Sequence, residues 1–289
     1  MNGRARTAVR AGERMLRVGC VKYLNARPLI RGWEGEVDFD HPSALCNKLA
    51  AGKLDVALVS SFEFLRNPIY RIVNDVSISS DGPVYSVVVA HRGKISDIEE
   101  IELDPASETS TNLLRSLLAE CGLNPHLVQG NASKALKVKH SARLLIGDQA
   151  IRFRQEYVNE FSFWDLGEQW QKLFKLPFVY ALWLIRPEVT DPEEIANRLR
   201  NLRDENLANL DDLVAETVTG VDVSHCSCKA KADDPSQRKV LNREFFFRYY
   251  RKHLQFGFGE RAKEGLRTFA KLCTTHDLIP KREHTFRVV

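Results

Sequence analysis

The sequence predicts an α/β protein of two lobes, joined by two crossings of the chain, with a ligand-binding cleft between the lobes. Three observations lead to this fold class. Short apolar runs alternate with helical patterns, the alternation occurs twice along the chain, and no long linker separates the two series. Such alternation is typical of βαβ units and parallel sheets. The 289 residues, 44% of them hydrophobic, suffice for two such cores.

The first series contains strand-like runs at residues 16–21, 36–40 and 54–60. A helix is predicted at residues 42–51, because proline is favoured in a first helical turn and Gly52 follows the last helical residue. These elements predict the first lobe.

The second series follows the turn at residues 80–83. The run at residues 84–91 predicts the strand by which the chain crosses into the second lobe. The elements predicted there are a strand at 101–104, a helix opening at 107–110, a strand at 127–130 and a strand at 142–148.

The run at residues 177–185 predicts the return crossing. Helical spacing follows at 191–219, and two closing helices are predicted at 241–256 and 260–276. The aromatic residues of the first closing helix are expected to pack in the core rather than to form a stacking platform; they are Phe245, Phe246, Phe247, Tyr249 and Tyr250. The predicted division is a disordered leader at 1–15, a first lobe of 16–90 and 184–289, and a second lobe of 91–183.

Charge and hydropathy argue against nucleic-acid and membrane partners. The 42 Lys+Arg and 38 Asp+Glu residues give a formal charge of +4, spread along the chain, which argues against a nucleic-acid partner. No apolar run approaches the length of a membrane span, and the basic leader has no apolar segment after it. We therefore expect a cytoplasmic protein with a small-molecule ligand and no membrane partner.

The six cysteines have no repeated spacing, so thiols are expected rather than disulfides. The HCSC segment at 225–228 is predicted to be a loop, because a zinc site needs a second pair of ligands at a usual distance. No Walker-type phosphate loop, dinucleotide fingerprint or spaced set of metal ligands is present. We expect neither cofactor nor metal.

Polar residues stand where predicted strands end, which is where open α/β sheets bind ligands. The candidates are Asn25, Ser60, Ser61, Ser86, Ser107, Thr109, Ser110 and Asp148. Asn25 and Asp148 could instead cap the helices that follow them, the latter helix beginning at Ala150. Ser107 or Thr109 could likewise be only an N-cap, or the hydroxyls and free N–H groups of this helix start could bind a carboxylate.

Seven motifs extend these observations: YLNARPL, KLDVALVSSFEFL, SISSDGPVYSVVV, LDPASETS, LLIGDQA, DLGEQW and LPFVYALW. In content and order they resemble the chorismate dehydratases of the futalosine route to menaquinone, from about residue 16 to the C-terminal helices. The resemblance implies a type II periplasmic-binding-protein-like fold and the loss of water from chorismate to give 3-[(1-carboxyvinyl)oxy]benzoate. It implies active-site roles for Asn25 and Ser86, and Tyr23 of the first motif is expected to contact substrate.

The chemistry of this reaction restricts the roles of these residues. The product ring is aromatic, so the substrate supplies the driving force and the protein must mainly orient it. An amide is too weak a base to remove a proton, so Asn25 is expected to bind. The base is then either the substrate's own side-chain carboxylate or Asp148. A solute-binding protein and an effector-binding regulator are the other function classes, the latter disfavoured by the lack of a DNA-reading helix.

Overall fold

The computed structural model describes residues 15–130, 140–223, 241–283 and 285–289. Residues 1–14 of the expected leader and the segment 225–228 lie outside these ranges. The strands are β1 (Val18–Val21), β2 (Val37–Asp40), β3 (Val56–Ser60), β4 (Arg71–Ser80), β5 (Val87–His91), β6 (Glu100–Leu103), β7 (His126–Gln129), β8 (Ser141–Ile146), β9 (Ser162–Asp165) and β10 (Phe178–Ile185).

The helices are α1 (Arg27–Ile30), α2 (Pro42–Ala50), α3 (Ser61–Arg66), α4 (Glu108–Glu120), α5 (Gly147–Glu156), α6 (Leu166–Phe174), α7 (Pro192–Ala208), α8 (Leu210–Val223), α9 (Arg243–Arg248) and α10 (Glu260–Thr275). Two 3-10 turns occur at Leu24–Ala26 and Ile95–Asp97, and a π-helical turn at Tyr249–His253 continues α9.

The two sheets have five strands each, with the same pattern of parallel and antiparallel pairing. The first sheet is β2-β1-β3-β10-β4 and the second is β7-β6-β8-β5-β9. Three strands of each sheet are parallel, and the fourth in the order is antiparallel to both of its neighbours. Every residue of β1, β3 and β5 is buried, as expected for strands covered on both faces. The predicted α/β class with two lobes is confirmed.

The sheets divide the chain at places other than the predicted lobe boundaries. The prediction puts residues 84–90 in the first lobe and residues 177–183 in the second. β5 pairs with β8 and β9 in the second sheet, however, and β10 pairs with β3 and β4 in the first. An apolar run suits either sheet, and only pairing decides which. We therefore propose crossings at residues 81–86 and 166–177.

Strand β4 was not predicted because its second half is polar. Asp75 has a positive φ of 60°, which kinks the run. Ser77 Oγ donates to the Gly257 carbonyl at 2.6 Å, and Ser79 exchanges backbone hydrogen bonds with Gln255. These serines are buried because a C-terminal segment covers them, a contact that local periodicity cannot reveal.

The aromatic residues of the first closing helix lie in the core, as predicted. Phe245, Phe246, Tyr249 and Tyr250 are buried, and Phe247 packs partly buried against them. Rings four residues apart are stacked within this helix, since Phe245 and Tyr249 lie 5.8 Å apart with an interplanar angle of 12°.

Candidate active site

A cavity between the lobes is lined by residues from both sheets. The space inside it that is not filled by protein atoms is about 580 Å³, including its mouth. Of the predicted site residues, all but Ser61 and Asp148 line this cavity. Strand ends of both lobes therefore bring together residues that are far apart in sequence, as the fold class predicts.

Asn25 lies in the 3-10 turn Leu24–Ala26, after β1. The Leu24 N–H donates to Asp148 Oδ1 at 3.0 Å, and the Leu24 carbonyl accepts from the Tyr250 hydroxyl at 2.9 Å, so the turn is held from two sides. Asn25 Oδ1 is buried and has no hydrogen-bond partner among the described atoms. A buried amide oxygen without a partner is costly unless a ligand or water satisfies it.

The capping alternative for Asn25 is wrong. The N-cap positions of the 3-10 turn and of α1 are Tyr23 and Ala26, and neither helix start has a side-chain capping bond. Asn25 is instead one of the residues that line the cavity.

Ser86 is the last residue of the first crossing, directly before β5. The Tyr249 hydroxyl donates to Ser86 Oγ at 2.8 Å, and the Val84 carbonyl lies 3.5 Å from the same oxygen. Burial raises the pKa of Tyr249 well above its ordinary value. The phenol therefore stays protonated and acts as a donor.

The backbone before Ser86 is fixed by Asp165 at the end of β9. This buried carboxylate accepts from the Val84 N–H at 3.0 Å and the Tyr85 N–H at 2.8 Å. Two N–H groups in the first turn of α6 donate to it at 3.1 and 3.2 Å. Tyr85 has a positive φ of 68°, so the strand predicted at residues 84–91 begins later than predicted, at Val87. Asp165 thus ties both crossings together beside the cavity.

The start of α4 combines capping with contact between the lobes. Ser107 Oγ accepts from the Ser110 N–H at 3.2 Å and donates to Ser110 Oγ at 2.9 Å, so the capping interpretation is correct for Ser107. Thr109 Oγ1 accepts from the Phe62 N–H at 3.1 Å and contacts Ser60 Oγ. Since all four hydroxyl-bearing residues also line the cavity, capping does not exclude ligand contact.

Ser61 and Asp148 lie outside the cavity lining. Ser61 Oγ donates to the Val179 carbonyl at 2.7 Å. Asp148 lies in the first turn of α5, which begins at Gly147 rather than at Ala150, and it does not cap this helix. Burial raises the pKa of Asp148 to about 6, against the opposing effect of the Leu24 N–H.

Tyr23 and Tyr180 form aromatic walls of the cavity. Gly147 has a positive φ of 56°, and a Cβ there would lie 3.1 Å from the Tyr23 ring, so glycine is needed for both reasons. The Tyr180 hydroxyl lies 3.2 Å from Ser80 Oγ. Burial raises the pKa of both tyrosines, and the Asp104 and Asp148 carboxylates raise that of Tyr23 further.

Sequence reasoning missed Tyr180, Tyr249 and Asp165. The tyrosines belong to apolar runs that read as core, so the sequence contains no separate signal for them. Asp165 did have one: Asp165 and Glu168 have the spacing of a capping box in the motif DLGEQW.

Among the described residues that line the cavity, none has a charged side chain. An anionic ligand would therefore depend on hydroxyls and on the N–H groups at the start of the 13-residue helix α4, where the helix dipole is positive. The remaining walls are mainly aliphatic and aromatic and suit a ring. Within the described residues, no group of three or more His, Cys, Asp or Glu side chains could hold a metal ion.

Comparison with known proteins decides the family. A family model described as menaquinone biosynthesis matches residues 16–275. The chain belongs to this menaquinone biosynthesis family. One relative is chorismate dehydratase from Thermus thermophilus. It is 30% identical to this chain over 211 residues, which cover 67% of this chain and 78% of the relative.

Solved structures confirm the fold expected for this family member. Protein AF1704 from Archaeoglobus fulgidus has a TM-score of 0.67 at 17% identity, covering 91% of this chain and 98% of its own. The periplasmic aliphatic sulphonate binding protein SsuA from Escherichia coli has a TM-score of 0.59 at 13% identity, covering 93% and 89%. The periplasmic-binding-protein-like fold is thus confirmed. Across the described parts of the chain, no helix is long and apolar enough to cross a membrane.

Proposed function

We propose that this protein is a chorismate dehydratase that forms 3-[(1-carboxyvinyl)oxy]benzoate. The observation that carries the proposal is the unpartnered Asn25 Oδ1, buried in a cavity whose hydroxyl-rich and apolar walls suit a carboxylated ring. Family membership and the chorismate dehydratase relative support the same reaction.

The reaction is a net loss of water. The ring C3–H proton and the C4 hydroxyl leave, the C3–H electron pair becomes the new C3–C4 π bond, and the ring becomes aromatic. Because aromatisation drives the reaction, orientation and hydrogen bonds to the departing or charged oxygens are what the protein must supply.

On this basis we assign roles to the predicted site residues that line the cavity. Asn25 and Ser86 bind the departing hydroxyl or the enolpyruvyl carboxylate. The unpartnered Asn25 Oδ1 can accept only from the substrate hydroxyl, whereas a carboxylate would be bound by the Asn25 amide NH2 group and the Ser86 hydroxyl. The start of α4, with Ser107 and Ser110, binds the other carboxylate. Tyr23 lies against the ring. Thr109 and Ser60 form the wall where the lobes meet, and no substrate contact is proposed for Ser61.

The substrate's own side-chain carboxylate is the preferred base. Asp148 lies outside the cavity lining, and one of its oxygens already accepts the Leu24 N–H. Those two facts favour a structural role for Asp148 over proton removal.

We further propose a hydro-lyase that needs no cofactor and works in the cytoplasm without nucleic-acid or membrane partners. The driving force within the substrate supports the first part, and the spread of charge along the chain supports the absence of nucleic acid. Turnover that persists after dialysis against a chelator, and cell fractionation, are the corresponding tests.

The decisive experiment follows chorismate and its aromatic product by liquid chromatography and mass spectrometry. Asn25→Ala should lower kcat/KM by about 100-fold or more, the usual effect of removing a hydrogen bond to developing charge. Asn74→Ala is a matched control, because Asn74 Oδ1 is also buried without a described partner but lies outside the cavity lining. The control should keep its turnover.

Two results would contradict the proposal. Wild-type protein that is stabilised by chorismate without converting it would be a carboxylate-binding protein of the same fold. Full activity in Asn25→Ala would remove Asn25 from the site while leaving the reaction itself established.

A further inference from the structure

Tyr249 and Ser86 are joined by a hydrogen bond at the edge of the cavity. The tyrosine hydroxyl donates to Ser86 Oγ at 2.8 Å, and both side chains are fully buried. Ser86 lines the cavity, whereas Tyr249 lies behind it on the π-helical turn Tyr249–His253. A residue in the C-terminal part of the chain, Tyr249, therefore contacts a residue that lines the cavity, Ser86.

We propose that Tyr249 is a positioning residue that turns the Ser86 hydroxyl proton toward the substrate. This inference rests on the proposed function, in which Ser86 binds substrate. It adds a residue that does not itself line the cavity.

The geometry of the hydroxyl carries the argument. A serine hydroxyl has one proton to donate and two lone pairs to accept with. The bond from Tyr249 occupies one lone pair. Among the residues that the structure describes, Ser86 Oγ has one other polar contact, with the Val84 carbonyl at 3.5 Å, which is longer than a good O–H···O bond. The serine proton is thus left for a ligand in the cavity.

The direction of the Tyr249 bond is fixed by its surroundings. The Tyr249 hydroxyl is the donor in this bond and Ser86 Oγ is the acceptor, and the raised pKa of the buried phenol means that the donated proton stays on Tyr249. The ring is held by the stacked Phe245 and by Tyr250, whose centroids lie 5.8 and 5.7 Å away. Accepting a hydrogen bond polarises the serine O–H and makes it a better donor.

The π-helical turn explains why two successive tyrosines both reach the site. Tyr249 contacts Ser86, while Tyr250 donates to the carbonyl of Leu24, next to Asn25. An extra residue in a helical turn changes the direction of neighbouring side chains, and such turns are frequent at functional sites. One turn therefore supports both proposed active-site residues.

A double-mutant cycle tests the inference. In the wild-type background, Tyr249→Phe should lower kcat about 5- to 10-fold, the effect of one hydrogen bond on the transition state. In the Ser86→Ala background the same change should alter kcat less than about 2-fold, because the oxygen it acts through is gone. KM should change little in Tyr249→Phe, since the ring and the cavity walls remain.

Tyr70→Phe is the matched control. It removes a buried tyrosine hydroxyl that bonds Glu63 Oε1 at 3.3 Å, away from the cavity, and should leave kcat unchanged. Thermal melting of all variants shows whether a loss of kcat reflects a loss of fold.

Each outcome separates this inference from the proposed function. Equal losses in both backgrounds, or no loss in Tyr249→Phe, with chorismate still converted by the wild type, would overturn the role of Tyr249 alone. A wild type that does not convert chorismate would overturn the proposed function and this inference with it.

Discussion

Asp148 is a carboxyl group that reaches from the second lobe to the backbone of the first. It accepts the Leu24 N–H at 3.0 Å, and burial raises its pKa to about 6 from an ordinary value of 3.8. A raised pKa means that folding favours the neutral form. Unfolded protein therefore binds fewer protons than folded protein between these two pH values, and stability falls as pH rises through that window.

Asp148→Asn should remove this pH dependence, because an amide oxygen can still accept the Leu24 N–H without carrying charge. The variant should gain free energy of unfolding relative to wild type as pH rises from about 4 to about 6, up to about 2–3 kcal/mol. Urea denaturation at several pH values measures the difference. Asp97→Asn, an Asp→Asn change at an exposed position of the same lobe, is the matched control.

Turnover of the same variant separates the two candidate bases. If the substrate's carboxylate removes the proton, Asp148→Asn should stay within about fivefold of wild type, whereas loss of a general base costs about 100-fold or more. A loss of the larger size would assign the base to Asp148 and reverse our preference.

Single residues also show where sequence reasoning ends. Ser60 and Ser61 are neighbours, yet only Ser60 lines the cavity, because a strand ends and a helix begins between them. Both serines satisfy the pattern of a polar residue at a strand end. The pattern predicted the location of the site in the sequence. It could not predict which of the two serines lines the cavity, because that depends on tertiary structure.

At the scale of an element, helix α4 is the most informative. Its 13 residues begin with the Ser107 cap, and the same turn faces the cavity and the other lobe. The sequence showed three hydroxyls in four residues, and the structure uses them for a cap, a bond between lobes and the cavity wall.

Ser107→Ala should lower the free energy of unfolding by about 1 kcal/mol, the usual cost of losing an N-cap. Urea denaturation measures this change. Ser96→Ala is a suitable control, since Ser96 is an exposed serine of the same lobe, and it should alter stability by less than about 0.5 kcal/mol. Equal effects in the two variants would contradict a capping role for Ser107.

The elements themselves were predictable to different degrees. Strongly apolar runs such as β3, β8 and β10 were located from the sequence within a few residues. The strands β4 and β9 were missed for different reasons. β4 gains its buried neighbours from β10 and the C-terminal segment, and β9 has just four residues, two of them polar. Pairing partners distant in sequence decided both cases.

At the scale of the whole molecule, the two crossings meet at Gly167. A Cβ there would lie 2.6 Å from the Gly82 carbonyl of the first crossing and 2.7 Å from the Tyr180 hydroxyl at the cavity wall. Backbone and buried side chains leave no space for a methyl group at this point.

Gly167→Ala should therefore lower the free energy of unfolding by about 1–3 kcal/mol and reduce turnover by displacing Tyr180. Gly259→Ala is the control for the added methyl group, because a Cβ at Gly259 would meet nothing within 4 Å and its φ is −77°. Since Gly259 is the N-cap of α10, this change should cost less than about 1 kcal/mol of stability and leave turnover unchanged. Thermal melting and the chorismate assay measure both variants, and equal behaviour of the two would refute close contact between the crossings.

The two-lobed architecture was predictable because alternating elements occur twice, but the crossing points were not. Residues 87–90 and 178–183 were predicted in one lobe but belong to strands of the other sheet. Their apolar character is the same on either side of a crossing, so the sequence offers no local boundary signal.

The strand order has a consequence for synthesis on the ribosome. All strands of the second sheet lie between Val87 and Asp165, so one continuous stretch of nascent chain can complete it. The first sheet must wait for β10, which separates β3 from β4, and for Val289, which pairs with β4 through Asn74. Until then β3 and β4 present unpaired strand edges. We expect the N-terminal strands, although made first, to be the last to reach their final structure and the part most dependent on chaperones.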